Sequence, residues 1–294
     1  MVMPADIEIS PTLRVMDLEK ELSFYRKYLN LEVNQHGTGD DGFEFVELGF
    51  AGRFKASEAP LLVLKHDPNA KEPPHDFAGL FHFAILVPDR KSLAYAYSAL
   101  ENSGMKFDGF ADHLVSESLY LHDPESNGIE IYRDKPRNEW PHDEKGMIIM
   151  DTLPLDLRSL LVELEEVERI HAIPLPQGAK IGHIHLRVTN LEKSIQFYQH
   201  KLGFKMTVDW RRLGASFLAA GNYHHHIGLN IWHSSGGHPH MKQEAGLDMF
   251  TITVLNESLM HALASELRNG ALTESKDGNE LSVSDTDSIQ ILIR

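Results

Sequence analysis

Apolar and polar residues alternate along short stretches that each run into an amphipathic segment, and this pairing occurs four times along the chain. Residues 9–16 read as a strand and 17–29 as a helix with Leu18, Leu22, Tyr25 and Leu29 on one face. Strand candidates follow at Glu44–Leu48 and Leu61–Lys65, punctuated by Gly and Pro. A second unit starts at Leu80–Val87, carries a helix over about Lys91–Ser103 that Gly104 ends, and closes with Gly128–Tyr132. A third runs from Ile181 to Ile227–Trp232, and a fourth from Gly246-Leu247 to Ile289–Ile293. Each unit predicts strand–helix–strand–strand–strand, so the expected fold class is α+β with four βαβββ modules arranged as two domains, 7–133 and 180–294. Between them, 134–179 carries Pro136, Pro141, Pro154, Pro174 and Pro176 around one helical stretch, Leu155–Val167, and reads as a linker packed on the surface.

The repeat is visible in the letters themselves. Arg14-Val15-Met16-Asp17-Leu18-Glu19-Lys20, then Phe24-Tyr25 and Leu29, returns as Arg187-Val188-Thr189-Asn190-Leu191-Glu192-Lys193, then Phe197-Tyr198 and Leu202. Ser10 in the first copy is answered by His183 in the second. His82 precedes Asp89 by the same interval as His183 precedes Asn190, so both histidines occupy one slot of the module. The fourth module offers Met249 there when Gly79-Leu80 is matched to Gly246-Leu247. On the closing strands, Ile129-Glu130-Ile131 is answered by Ile289-Gln290-Ile291. Side chains alternate across a strand, so corresponding positions on the first and last strands face one cavity.

Composition narrows the chemistry. The chain has 294 residues, 18 histidines and no cysteine, which leaves His, Asp and Glu as the strong ligands for a transition metal. His82, Glu130 and His183 supply two imidazoles and a carboxylate, a set suited to non-haem Fe(II) with open positions; Mn(II) accepts nearly the same ligands. A net charge of −15 argues against nucleic acid as a partner. No apolar run reaches the length of a membrane span, and the N-terminus lacks a basic patch followed by an apolar stretch, so a cytoplasmic location is expected.

These modules resemble the vicinal oxygen chelate superfamily of glyoxalase I, bleomycin-resistance proteins and extradiol dioxygenases. The most specific stretch runs from His113-Leu114-Val115 through Leu119-Tyr120-Leu121-His122-Asp123-Pro124 to Gly128-Ile129-Glu130. It is similar to the extradiol pattern of His, a short spacer, an apolar residue, Tyr, then Asp-Pro and a metal-binding Glu; Ser126 and Ala111 depart from that pattern at turn positions. The resemblance implies two glyoxalase-like domains, closest to catechol 2,3-dioxygenases of two duplicated halves. It implies Glu130, His82 and His183 as metal ligands, with His113 and Tyr120 facing the substrate. In Asn222-Tyr223-His224-His225-His226, it favours His225 as a further catalytic histidine with His226 close behind; His185 and His226 are candidate substrate contacts.

The implied reaction is Fe(II)-dependent cleavage of a catechol by O2 next to the diol, giving a 2-hydroxymuconic semialdehyde type of product. Two other readings stay open. A glyoxalase-type isomerase would add a fourth protein ligand and need a carboxylate base, and the closing strand of the third module offers His226 or Asn230 and no acid there, which counts against that reading. A binding protein of the bleomycin-resistance kind would need no triad. With His82 and Glu130 in one half and His183 in the other, the second and third modules must meet, within one chain or across a homo-oligomer.

Overall fold

The computed structural model describes residues 2–50, 59–268, 273–274 and 280–294. Each module folds as strand, helix and a three-stranded meander. The first has strands Ile7–Val15, Glu32–Thr38, Glu44–Gly49 and Leu62–His66 around helix Leu18–Leu29. The second has Gly79–Leu86, Gly109–Asp112, Ser116–His122 and Gly128–Asp134 around helix Arg90–Asn102. The third has Lys180–Arg187, Lys205–Trp210, Ala215–Ala219 and Ile227–Asn230, and its helix Leu191–Gln196 widens into a π-turn at Phe197–Lys201. The fourth has Gly246–Val254, Thr273–Glu274, Leu281–Ser284 and Gln290–Ile293 with helix Glu257–Arg268. Three of these helices start on the same device: the side chains of Asp17, Asp89 and Asn190 accept the amides of Lys20, Ser92 and Lys193.

The modules do not pair in the order they are written. The first and fourth share an eight-stranded sheet, joined through Ile7–Val15 antiparallel to Gly246–Val254. The second and third share a nine-stranded sheet, joined through Gly79–Leu86 antiparallel to Lys180–Arg187. The meeting of the second and third modules is therefore made within one chain. One continuous apolar core runs through both sheets and their helices.

Two matching loops tie the sheets to each other. In one, the Glu125 carboxylate accepts the amides of Met16 and Asp17 at 2.9 and 2.7 Å, and the Tyr25 hydroxyl donates to Asp123 at 2.8 Å. In the other, Asp287 accepts from Thr189, and the Tyr198 hydroxyl donates to Asp285 at 3.1 Å. The Asp-Pro-Glu segment of the extradiol-like stretch thus anchors the opposite sheet.

The expected linker helix is two short helices, Leu157–Leu161 and Glu166–Ile170, because Asp156 caps the first and Glu165 starts a second with its own capping box. Both lie on helix Arg90–Asn102, where Arg90 donates to the Ser159 carbonyl and Tyr95 to Glu168. The segment is also more than a surface connector, since Leu153–Pro154 adds an edge strand beside Ala111 and Asp112. Among the described residues, no helix is long and apolar enough to cross a membrane.

Candidate metal centre and its pocket

The floor of the nine-stranded sheet brings the three expected ligands together. His82 and His183 stand on adjacent antiparallel strands, and Glu130 on the strand that runs parallel beside His82. The Nε2 atoms of His82 and His183 lie 3.0 and 3.1 Å from the same oxygen, Glu130 Oε2. The other oxygen accepts the Ser118 hydroxyl at 2.6 Å, which fixes the carboxylate plane. His82 Nε2 is buried and off the line that a hydrogen bond needs, so it is left without a partner. All three ligand atoms lie within 4.8 Å of one another, a span that one divalent ion with bonds of about 2.1 Å can draw together. The donor set fits a divalent transition metal.

Electrostatics prepare the same state. Burial pushes the Glu130 carboxyl up, but the imidazoles facing it outweigh that and hold it well below its ordinary value. Burial pushes His183 down to about 4. An ionised carboxylate and a neutral imidazole are the forms in which these side chains bind metal.

A cavity of about 350 Å³ opens above the triad. His113, Tyr120, His185 and His225 all line it, as the sequence leads one to expect. His113 Nε2 lies 2.7 Å from the Tyr120 hydroxyl, and its Nδ1 lies 2.8 Å from the Asp151 carbonyl. A carbonyl only accepts, so Nδ1 carries the hydrogen, and in neutral His113 the Nε2 lone pair takes the tyrosine proton. Burial, then the Glu130 charge, pushes the Tyr120 phenol well up, which keeps it a donor. The buried His185 ring packs edge-on against Phe81 and His82, and its Nε2 accepts from the Asn230 amide at 3.1 Å.

His226 is a correction. It is absent from the cavity wall; its Nδ1 accepts the Ala220 amide and its ring packs at a tilt against Tyr223. Neighbouring residues of an extended segment face opposite ways, so His225 turns in and His226 turns out. What the sequence did not indicate is the role of His224. Its Nε2 meets Asp134 Oδ1 at 2.8 Å and its Nδ1 meets His225 Nδ1 at 2.7 Å. The run of three histidines was a visible signal; Asp134, at the end of another module, was not. The segment 134–179 also supplies Met150 and Thr152 to the wall.

Register settles the remaining slots. Ser126 and Ser288 share a left-handed φ of 68° in matching loops closed by Asp123 and Asp285. Met249 then pairs with Gln290, and Phe250 with Ile291, as Phe83 pairs with Ile129. Gln290 therefore answers Gly128, and Leu292 answers Glu130. The expected match was displaced by two residues, a shift that keeps the same face of a strand and so leaves the pattern of faces unchanged. In the third module, the position equivalent to Glu130 is Gly228, paired with His185 as Glu130 is with Ala84. It is neither His226 nor Asn230. A Cβ on Gly228 would come within 2.8 Å of the His185 ring. No fourth protein ligand projects from that slot.

A family model, the glyoxalase/bleomycin resistance protein/dioxygenase superfamily, matches residues 9–131 and 180–269. The chain belongs to that superfamily. It is 35% identical over 274 residues to catechol-2,3-dioxygenase of Bacillus subtilis (strain 168), covering 93% of this chain and 91% of that protein. Among solved structures, a Bacillus subtilis protein provisionally described as a dioxygenase aligns with a TM-score of 0.64 at 11% identity, over 100% of this chain and 86% of that one. Glyoxalase I from Zea mays aligns at 0.58 and 16% identity, over 98% and 92%. At those identities, the structures speak for the fold of two curled sheets.

Proposed function

We propose that the protein is an Fe(II)-dependent extradiol dioxygenase that opens a catechol with O2 next to its diol. The chain is an extradiol-dioxygenase-like enzyme; the proposal adds the metal, the substrate and the roles of the residues. One observation carries it: two imidazoles from different modules and one carboxylate converge within a single chain, with no fourth ligand in the equivalent slot. Support comes also from the similarity to a catechol-2,3-dioxygenase over most of both chains.

His82, Glu130 and His183 would hold the ion. When bound, iron would bring the two catechol oxygens and O2 into adjacent positions and let electrons pass between them. The side chains handle protons and water. Asp134 accepts from His224 Nε2–H, so neutral His224 presents its Nδ1 lone pair to His225 Nδ1–H. That tautomer leaves His225 Nε2 as a free base facing the cavity, where it takes a proton from the incoming catechol. The charge that develops on His225 is relayed through His224 toward Asp134. On the other side, Tyr120 donates a hydrogen bond into the cavity in exchange for its bond to His113. His113, its Nδ1–H held by the Asp151 carbonyl, would take a proton from solvent at Nε2 and deliver it to the oxygen released in ring opening. The apolar wall of Phe81, Phe217, Trp210 and Met150 excludes water and orients the ring.

The test is anaerobic loading with Fe(II), followed by oxygen uptake with catechol and the appearance of a yellow ring-fission product. Uptake that matches product one for one is expected. Iron-loaded protein that consumes no oxygen with any catechol would refute the proposal.

A further inference from the structure

The eight-stranded sheet has a cavity of its own, lined by Arg14, Asp67, Asp248 and Met249 among others, and the register between the two sheets singles out two positions in the wall of the metal pocket. Arg14 and Arg187 are equivalent, each near the end of the first strand of its module. The ladder skips Phe81 in one sheet and Asp248 in the other, so these two are equivalent bulge residues. Trp232 and Asp67 are likewise equivalent, each two residues beyond the strand partner of the arginine, Asn230 or Lys65.

In the eight-stranded sheet, both positions are carboxylates, and they bind Arg14 at 2.8 and 2.5 Å. In the nine-stranded sheet, both are aromatic. The Phe81 and Trp232 rings meet edge to face at 5.3 Å, and each also touches His185. Arg187 has no carboxylate partner among the described residues; its guanidinium lies over Phe77 and Phe81 at 5.3 and 5.5 Å, behind the wall rather than in it.

We propose that Phe81 and Trp232 form a specificity wall that selects catechols bearing an uncharged, apolar ring substituent and rejects carboxylated ones. The proposal rests on the extradiol reading of the site. Aromatic faces offer dispersion and stacking to an alkyl or aryl group. A carboxylate against these rings would lose part of its water and gain no Lys or Arg partner, since none lines the cavity among the described residues. A volume of about 350 Å³ leaves room for a catechol with a small substituent.

The test uses the iron-loaded full chain with catechol, ethylcatechol and protocatechuate. It measures kcat/KM by oxygen uptake and binding under nitrogen by quenching of tryptophan fluorescence. Ethylcatechol should be preferred over protocatechuate by about 100-fold or more in both measurements. Trp232→Ala should narrow that preference by about tenfold. Trp232 is 44% exposed and tolerates a charge, so Trp232→Arg should shift the preference toward protocatechuate by at least about tenfold. Protocatechuate bound and cleaved as well as ethylcatechol, or a preference unmoved in both variants, overturns the wall. Absence of cleavage of all three overturns the extradiol reading, and the anaerobic binding preference then still decides for or against the wall.

Discussion

The two sheets enclose two cavities on the same backbone plan, and they have been filled in opposite ways. In the nine-stranded sheet, His82, His183 and Glu130 bring their ligand atoms together at one spot beneath the cavity. In the eight-stranded sheet, the same slots hold Met249, Ser10 and Leu292. There the charge is paired within the protein: Arg14 with Asp67 and Asp248, and Lys65 with Asp248 and Asp41. Phe43 lies beneath both cations, at 4.9 and 5.2 Å. The fold by itself therefore confers no metal site. A site arises where polar atoms are buried together with too few partners inside the protein, and it disappears where ion pairs satisfy them.

The sharpest way to break this contrast is at the proposed metal ligands. Glu130→Ala leaves two neutral imidazoles, so iron retained after gel filtration should fall and oxygen uptake with catechol should drop by more than about 100-fold. A variant that keeps both would show that the triad is not the difference between the cavities. Next in size is the relay behind the pocket. His224→Ala frees His225 to adopt either tautomer, and kcat should fall by about 10- to 100-fold while iron content stays unchanged.

The opposite cavity is tested by Asp248→Ala, which removes one of two carboxylates from a buried arginine. A loss of about 3 kcal/mol in denaturant unfolding is expected, with the metal content unaltered.

An effect confined to high pH separates the two tying loops. The first module has Glu21 where the third has Ser194, and burial, with Asp123 beside it, pushes the Glu21 carboxyl up to about 9. Its folded value lies above its unfolded value. Its contribution is therefore complete below about pH 4.5 and is lost as the pH rises toward 9. Glu21→Gln should raise the melting temperature near pH 8 and leave it unchanged near pH 4, as thermal melts at the two values would show.

Much of this was legible in the chain. Strand and helix periods gave four modules, and the asymmetry of one repeat, Ser10 against His183, pointed at the candidate metal slot. His82, His113, Tyr120, His185 and His225 were all readable from spacing or resemblance, because strand alternation fixes which face a residue takes. The same alternation is blind to a slip of two residues, which is why Gln290 was matched to Glu130 in place of Leu292, and why Gly228 was overlooked. It could not say that His224 reaches Asp134, a contact between modules. Nor could it foresee that Met150 and Thr152 arrive at the pocket from the proline-rich connector.

By itself, then, the sequence determined the module, its fourfold repetition and the donor types available to a metal, since these depend on local period and on residue chemistry. The tertiary structure decided which modules share a sheet. It also decided which polar atoms remain without partners and which aromatics stand in the wall. Those outcomes depend on pairing between segments far apart in the chain, where burial, register and competing ion pairs choose among faces that local pattern leaves equivalent.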